Sequence, residues 1–304
     1  MKTLSLLVKR NVKLFFKDKG MFFTSLITPL ILLVLYATFL KNVYRDSFLS
    51  NIPDGVVIAE ELIDGLVAGQ LVSSLLAVCC ITVAFCSNML MIQDKVSGSR
   101  NDLTITPVKK TTLSLAYYIA TFLSTMIICL LALLASLLYM KISGWYLDFF
   151  DVLGLFFDVL LLVMFGTALS SIIGYFMSTQ GQISAVGTIV SSCYGFICGA
   201  YMPISSFGDG LQKVIAFLPG TYGTSLLRHH AMNGVFEEMA EVGFPEQSIT
   251  GFKDAVDCNI YFFDDLVSNQ TKFIILGLTV LVLMIVYLMI NVVKIKKSRI
   301  KEVQ

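Results

Sequence analysis

Few residues in this chain have the type and spacing for chemistry. His229 and His230 are its only histidines. Adjacent positions point in different directions on a helix, and a metal site needs more ligands than their neighbourhood offers. No serine–histidine–aspartate arrangement can be argued, and the carboxylate pairs Glu237–Glu238 and Asp264–Asp265 read as solvated faces. Asp158 differs, because it lies about two helical turns inside an apolar run. A carboxylate at the bilayer centre costs roughly 2.5–3.5 kcal/mol on insertion scales and is a functional candidate by default. Its nearness to Asp148 and Asp151, on roughly one helical face, predicts a wetted vestibule or a headgroup-level position, with proton coupling as the alternative. The chain has no Gly-x-x-x-x-Gly-Lys-Ser/Thr loop and so lacks the usual phosphate nest. Gly195 and Gly199 form a Gly-x-x-x-Gly spacing, which predicts a helix–helix seam and a translocation path near Pro203. Six of the seven cysteines fall inside apolar runs and only Cys258 lies in a polar segment, so no disulfide framework or metal-ligand spacing is expected.

The elements that must position these residues are membrane helices. Of the 304 residues, 56% are hydrophobic and 14% charged, against about a quarter charged in an average soluble domain. That balance excludes an ordinary soluble fold. The net charge of +1 gives no basic field for nucleic acid. The mixed charged and apolar segment Lys2–Gly20 is not a cleavable signal, so the first apolar stretch is expected to be retained. Apolar runs of about 20 residues predict six spans: Phe22–Leu40, Leu71–Ile92, Leu113–Met140, Val152–Phe176, Ile183–Tyr201 and Phe273–Val293. Lys and Arg number fifteen on the face holding both termini and seven on the other. The positive-inside rule therefore puts both termini in the cytoplasm.

Before the first span, Leu4, Val8, Val12 and Phe15 or Phe16 recur at helical spacing, while Lys9, Lys13 and Lys17 mark another stripe. Residues 1–20 are thus expected to form an interfacial helix meeting anionic membrane lipid. Gln93–Thr112 is the one sizeable cytoplasmic loop, polar and mixed in sign, with Pro107 as a helix stop. The external segments are 41–70 and 202–272, and 294–304 is a basic cytoplasmic tail. Within the second external segment, Leu211–Leu218, the break at Pro219, Gly220, Tyr222 and Gly223, and a short helix to Arg228 predict a re-entrant helical hairpin. Freed backbone groups at membrane depth require burial in protein or a wet cavity. Glu237–Asn269 should cap the external mouth, part of it helical.

Together these features resemble the type-2 ABC transporter permease family, in its drug and antibiotic-peptide exporter branch. The resemblance covers nearly the whole chain. It rests on the amphipathic N-terminal segment, on Leu103–Thr104–Ile105–Thr106–Pro107–Val108, and on Gly199–Pro203 followed by "LPGTYGTSLLR" ending at Arg228. The fold it implies is all-α: six transmembrane helices, an N-terminal interfacial connecting helix, and the hairpin between spans five and six. The resemblance also implies a dimer with a second permease copy or homologue, seated on cytoplasmic ATPase subunits that carry ATP and Mg; no cofactor belongs to this chain. Gln93, Asp94, Lys95, Arg100, Asp102, Leu103, Thr106 and Pro107 would form the coupling helix held by that ATPase. Gln93–Asp94–Lys95 and Ser99–Asp102 stand where the family usually has a Glu-Arg or Glu-Lys start and a Gly-Thr step.

The expected function is a plasma-membrane exporter permease for a drug-like, lipid-like or peptide substrate. An ATPase-independent secondary transporter or channel is the alternative, and it would need intramembrane charge pairs. A membrane enzyme would need a cluster of His, Asp or Glu at one membrane depth, and the sequence offers none.

Overall fold

The computed structural model describes residues 2–50, 59–106, 108–263 and 265–303. The expectations placed on Pro107 and Asp264 lie outside those residues. The described chain is helical almost throughout, and five runs are long and apolar enough to cross a membrane: Lys19–Asp46, Glu60–Val96, Lys110–Ser143, Phe149–Phe176 and Asn269–Val292.

Helix α1, Lys2–Lys17, is the amphipathic segment; Leu7, Asn11 and Phe15 are its buried residues. The Asp18 carboxylate then accepts the Met21 amide at 3.1 Å and caps α2, Lys19–Leu35. Pro29 lies inside α2 and removes one backbone donor. The helix widens into a π turn at Tyr36–Leu40 and continues as α3, Lys41–Ser50.

Helix α4, Glu60–Val96, is the axle of the fold. Its 37 residues rise about 55 Å and pack against α2, α6, α7, α8 and α10, so it is buried on every side. A helix that is apolar all round belongs in such a place. The sequence places the start of this span at Leu71, yet the helix begins three turns earlier. Those turns persist because other elements cover them, with Gly65 against Tyr146 and Val235, and Gly69 against Met232.

Gly98, at φ +84°, breaks the chain into a short helix, α5, Ser99–Ile105. Helix α6, Lys110–Ser143, returns along α4. Helix α7, Phe149–Phe176, runs parallel to α4 and is tied to it by the Asn88 amide, which donates to the Ser170 carbonyl at 2.6 Å. Helix α8, Gln180–Ile197, starts on a capping box in which Thr179 and Gln182 exchange hydrogen bonds. It ends at Ile197 rather than at Tyr201 as the apolar run predicts, because Gly199 adopts φ +75°.

Beyond that break, α9, Asp209–Ala216, and α10, Pro219–Glu241, meet at Phe217–Leu218, with Pro219 in the first turn of α10. The second arm was expected to end near Arg228, but α10 continues four turns further. Ala231, Met232, Val235, Phe236 and Met239 give it a buried face against α4 and α7. Helix α11, Glu246–Ala255, precedes a two-residue antiparallel pair, β1 Tyr261–Phe262 and β2 Asp265–Leu266. Helix α12, Asn269–Val303, carries the last span, and the expected tail continues it as helix.

Candidate functional site

Three constellations order this bundle. The first lies at the end where α1, α4 and α6 meet. The Asp94 carboxylate accepts Arg10 Nη1 at 2.8 Å and Tyr117 Oη at 2.6 Å. Asp94 is buried, and its hydrogen bond with Arg10, reinforced by its charge, raises the guanidinium above its ordinary value against partial burial. Lys95 donates to the Tyr175 carbonyl at 3.2 Å and to the Met177 carbonyl. Gln93, Asp94 and Lys95, assigned from sequence to a partner contact, are thus the last turn of α4. At Asp94 and Lys95 their side chains hold α1, α6 and the end of α7 in place. Arg100, Asp102, Leu103 and Thr106 lie on or beside α5, which has no buried residue and ends in Ile105, 84% exposed.

The second constellation joins the break after α8 to α10 and to the loop after α11. Arg228 is fully buried; its Nη1 donates to Asp257 Oδ2 at 2.8 Å and its Nη2 to the Gly199 carbonyl. Asp257 also accepts the Ile204 amide at 3.0 and 3.1 Å and sits at φ +52°. Burial pushes the Asp257 carboxyl above its ordinary value, against the pull of the Arg228 charge and the Ile204 amide. Nearby, the Ser225 hydroxyl and Lys272 both donate to the Cys258 carbonyl, at 2.8 and 2.7 Å, and Tyr36 Oη donates to the Ala200 carbonyl at 2.9 Å. One guanidinium thus fastens three segments. Among the sequence-predicted residues, Gly199, Pro203 and Arg228 come together here through Ile204. Tyr222 instead donates to the Ala216 carbonyl at 2.6 Å, closing the turn between α9 and α10, and Gly220 is packed against Tyr194.

The third is the pair His230 Nδ1 and Asp158 Oδ2, 2.7 Å apart, between α10 and α7. Asp158 is fully buried, so the expected wetted position is corrected: the chain itself, not water, surrounds the carboxylate. Gly154 makes room, since a Cβ there would meet the His230 ring at 2.4 Å. The Gly195–Gly199 spacing does not continue on one helix. Gly199 lies past the end of the helix, and the face of Gly195 is filled by the Tyr201 ring of the same chain. Among the described residues no group of three metal-ligating side chains exists.

Asp257, Asp94's partners Arg10 and Tyr117, and His230's role were missed from sequence. Only the helical period of Ala231–Met239 carried a usable signal, for the extent of α10. Comparison with the curated proteins returns no match. The ABC-2 type transporter family model matches residues 2–231, about three quarters of the chain. With its apolar helices, that match makes this a multi-pass membrane protein and a permease subunit of an ABC transporter. The chain belongs to the ABC-2 type transporter family.

Proposed function

We propose that this permease exports a drug-like, lipid-like or peptide substrate across the plasma membrane, driven by ATP that a separate cytoplasmic ATPase subunit hydrolyses. The observation that carries the reading is α5: a helix with no buried side chain, set off by Gly98 and anchored to the axle helix α4 through the turn that fixes α1. A push on α5 is delivered to α4, and from α4 to α7 and α10, as a rigid-body displacement. Both termini and α5 are cytoplasmic, α8 serves as the fifth of six spans, and a second permease copy or homologue completes the unit.

In this reading α9 and α10 form the re-entrant hairpin. Gly223, near the inner end of α10, packs on Leu162, while Gly234 packs on Tyr146, just before α7 begins. Leu162 is the fourteenth residue of α7, about 20 Å from its start, so α10 descends about that far beside the span. The test is reconstitution with candidate ATPase subunits in inside-out vesicles. Uptake of a fluorescent drug that requires ATP and both subunits supports the reading; ATP-independent uptake by the permease alone contradicts it. The Asp158–His230 pair is the one observation favouring an ATPase-independent secondary transporter or channel. That alternative requires ion-driven flux without nucleotide, lost in Asp158→Asn.

A further inference from the structure

The permease reading gives no role to the polar cavity beside α9. It has a volume of about 520 Å³ and lies between α9, the Ile204–Ser206 turn and the β1–β2 pair, reaching Ala216 and Thr221 on either side of the α9–α10 turn. That is the size of a small-molecule site.

One wall is organised around a single carboxylate oxygen. Asp254 Oδ1 accepts Asn259 Nδ2 at 2.7 Å and Tyr261 Oη at 3.1 Å. The Phe262 ring, also in the lining, is held edge-on by Phe217 at 5.1 Å between centroids. The facing wall is α9, which presents Asp209 and Lys213 four residues apart, one helical turn. Asp257 also borders the space, but its charge is matched by Arg228. The uncompensated charges are therefore Asp209 and Asp254 against Lys213, one net negative charge beside aromatic rings. Aromatic faces and a carboxylate both attract a poorly hydrated cation, whereas an anion meets the electron-rich faces and two carboxylates.

We propose that this cavity binds a small organic cation with an aromatic or apolar body. The proposal deepens the permease reading and rests on it for its place in transport: with α5 cytoplasmic, the cavity is built by the external segment beside the re-entrant hairpin, where an exported cation is received before release. Binding itself needs neither ATPase nor nucleotide, so its failure and that of the permease reading are separable.

The test is equilibrium dialysis of tetraphenylphosphonium against the purified full-length chain in detergent, with empty micelles subtracted. Saturable binding is expected, weakened about tenfold or more in Asp254→Asn and in Phe262→Ala, and strengthened severalfold in Lys213→Gln. Lys213 and Asp209 are exposed on α9, so Lys213→Gln and Asp209→Asn read the charge effect without a folding penalty; Asp209→Asn weakens binding. Tetraphenylborate, the same shape with opposite charge, does not compete. Absence of saturable binding, equal competition by tetraphenylborate, or insensitivity to both α9 substitutions would each overturn the proposal.

Discussion

Replacing Arg228 by Met tests the clamp at its centre. The substitution keeps an unbranched apolar stem but removes the donors to Asp257 and to the Gly199 carbonyl. It leaves a buried carboxylate held by backbone amides, Ile204 and Ser205, without its countercharge, and breaking one side of a buried pair costs about 3–5 kcal/mol. At about 1.4 kcal/mol per tenfold, opening of this region should become two to three and a half orders of magnitude more populated. Cys258, buried next to Asp257, reports that opening. Burial pushes its thiol up to about 12, so the closed form barely reacts with maleimide. The assay is the rate of labelling by a membrane-impermeant maleimide in right-side-out vesicles. Asp257→Asn added to Arg228→Met should slow the labelling again, because Asn tolerates φ near +52° and carries no charge to strand. A labelling rate unchanged within threefold in Arg228→Met, or a double variant faster than the single, would refute the reasoning.

Other substitutions probe the remaining contacts. Gly234→Ala would set a Cβ 1.7 Å from the Tyr146 carbonyl oxygen, a backbone atom that no rotamer change can move. It should cost at least the 1–3 kcal/mol typical of overpacking, read as lower thermal stability in detergent, while Gly251→Ala, inside α11 with open space around it, should stabilise by about 0.5–1 kcal/mol. His230→Ala strands the Asp158 carboxylate and should destabilise by about 3 kcal/mol. Asp158→Asn keeps a hydrogen-bond acceptor for His230 and should cost about 1 kcal/mol, so the reverse order in denaturation midpoints would count against the pairing. Arg10→Ala should loosen α1 by only about 1 kcal/mol, since Arg10 is a third exposed and Tyr117 still binds Asp94. Faster amide exchange confined to α1 is the expected sign.

Five of the six expected spans were legible because an apolar run of bilayer length has few other uses, and the breaks after span five and before α10 were legible because Pro203 and Pro219 punctuate the chain. Arg228 was legible as the residue that closes the hairpin motif. Its partner was not: Asp257 lies 29 residues on, in a segment whose acidic residues look alike until the fold buries one of them. The same holds for Asp158, whose burial depends on His230 reaching it from α10. The Gly195–Gly199 spacing misled for a related reason. Periodicity assumes a helix, and here the second glycine is what ends it.

The central claim is that α5 is the handle through which a separate motor moves this permease. Placing a photocrosslinking amino acid at Ile105, irradiating native membranes and identifying the product by mass spectrometry tests it most directly. The account predicts a crosslink to a cytoplasmic subunit containing a Gly-x-x-x-x-Gly-Lys-Ser/Thr nucleotide-binding loop, lost when Leu103 and Ile105 flank a charged Thr104→Asp substitution. An Ile105 position that reacts instead with an impermeant reagent added outside intact cells would contradict it.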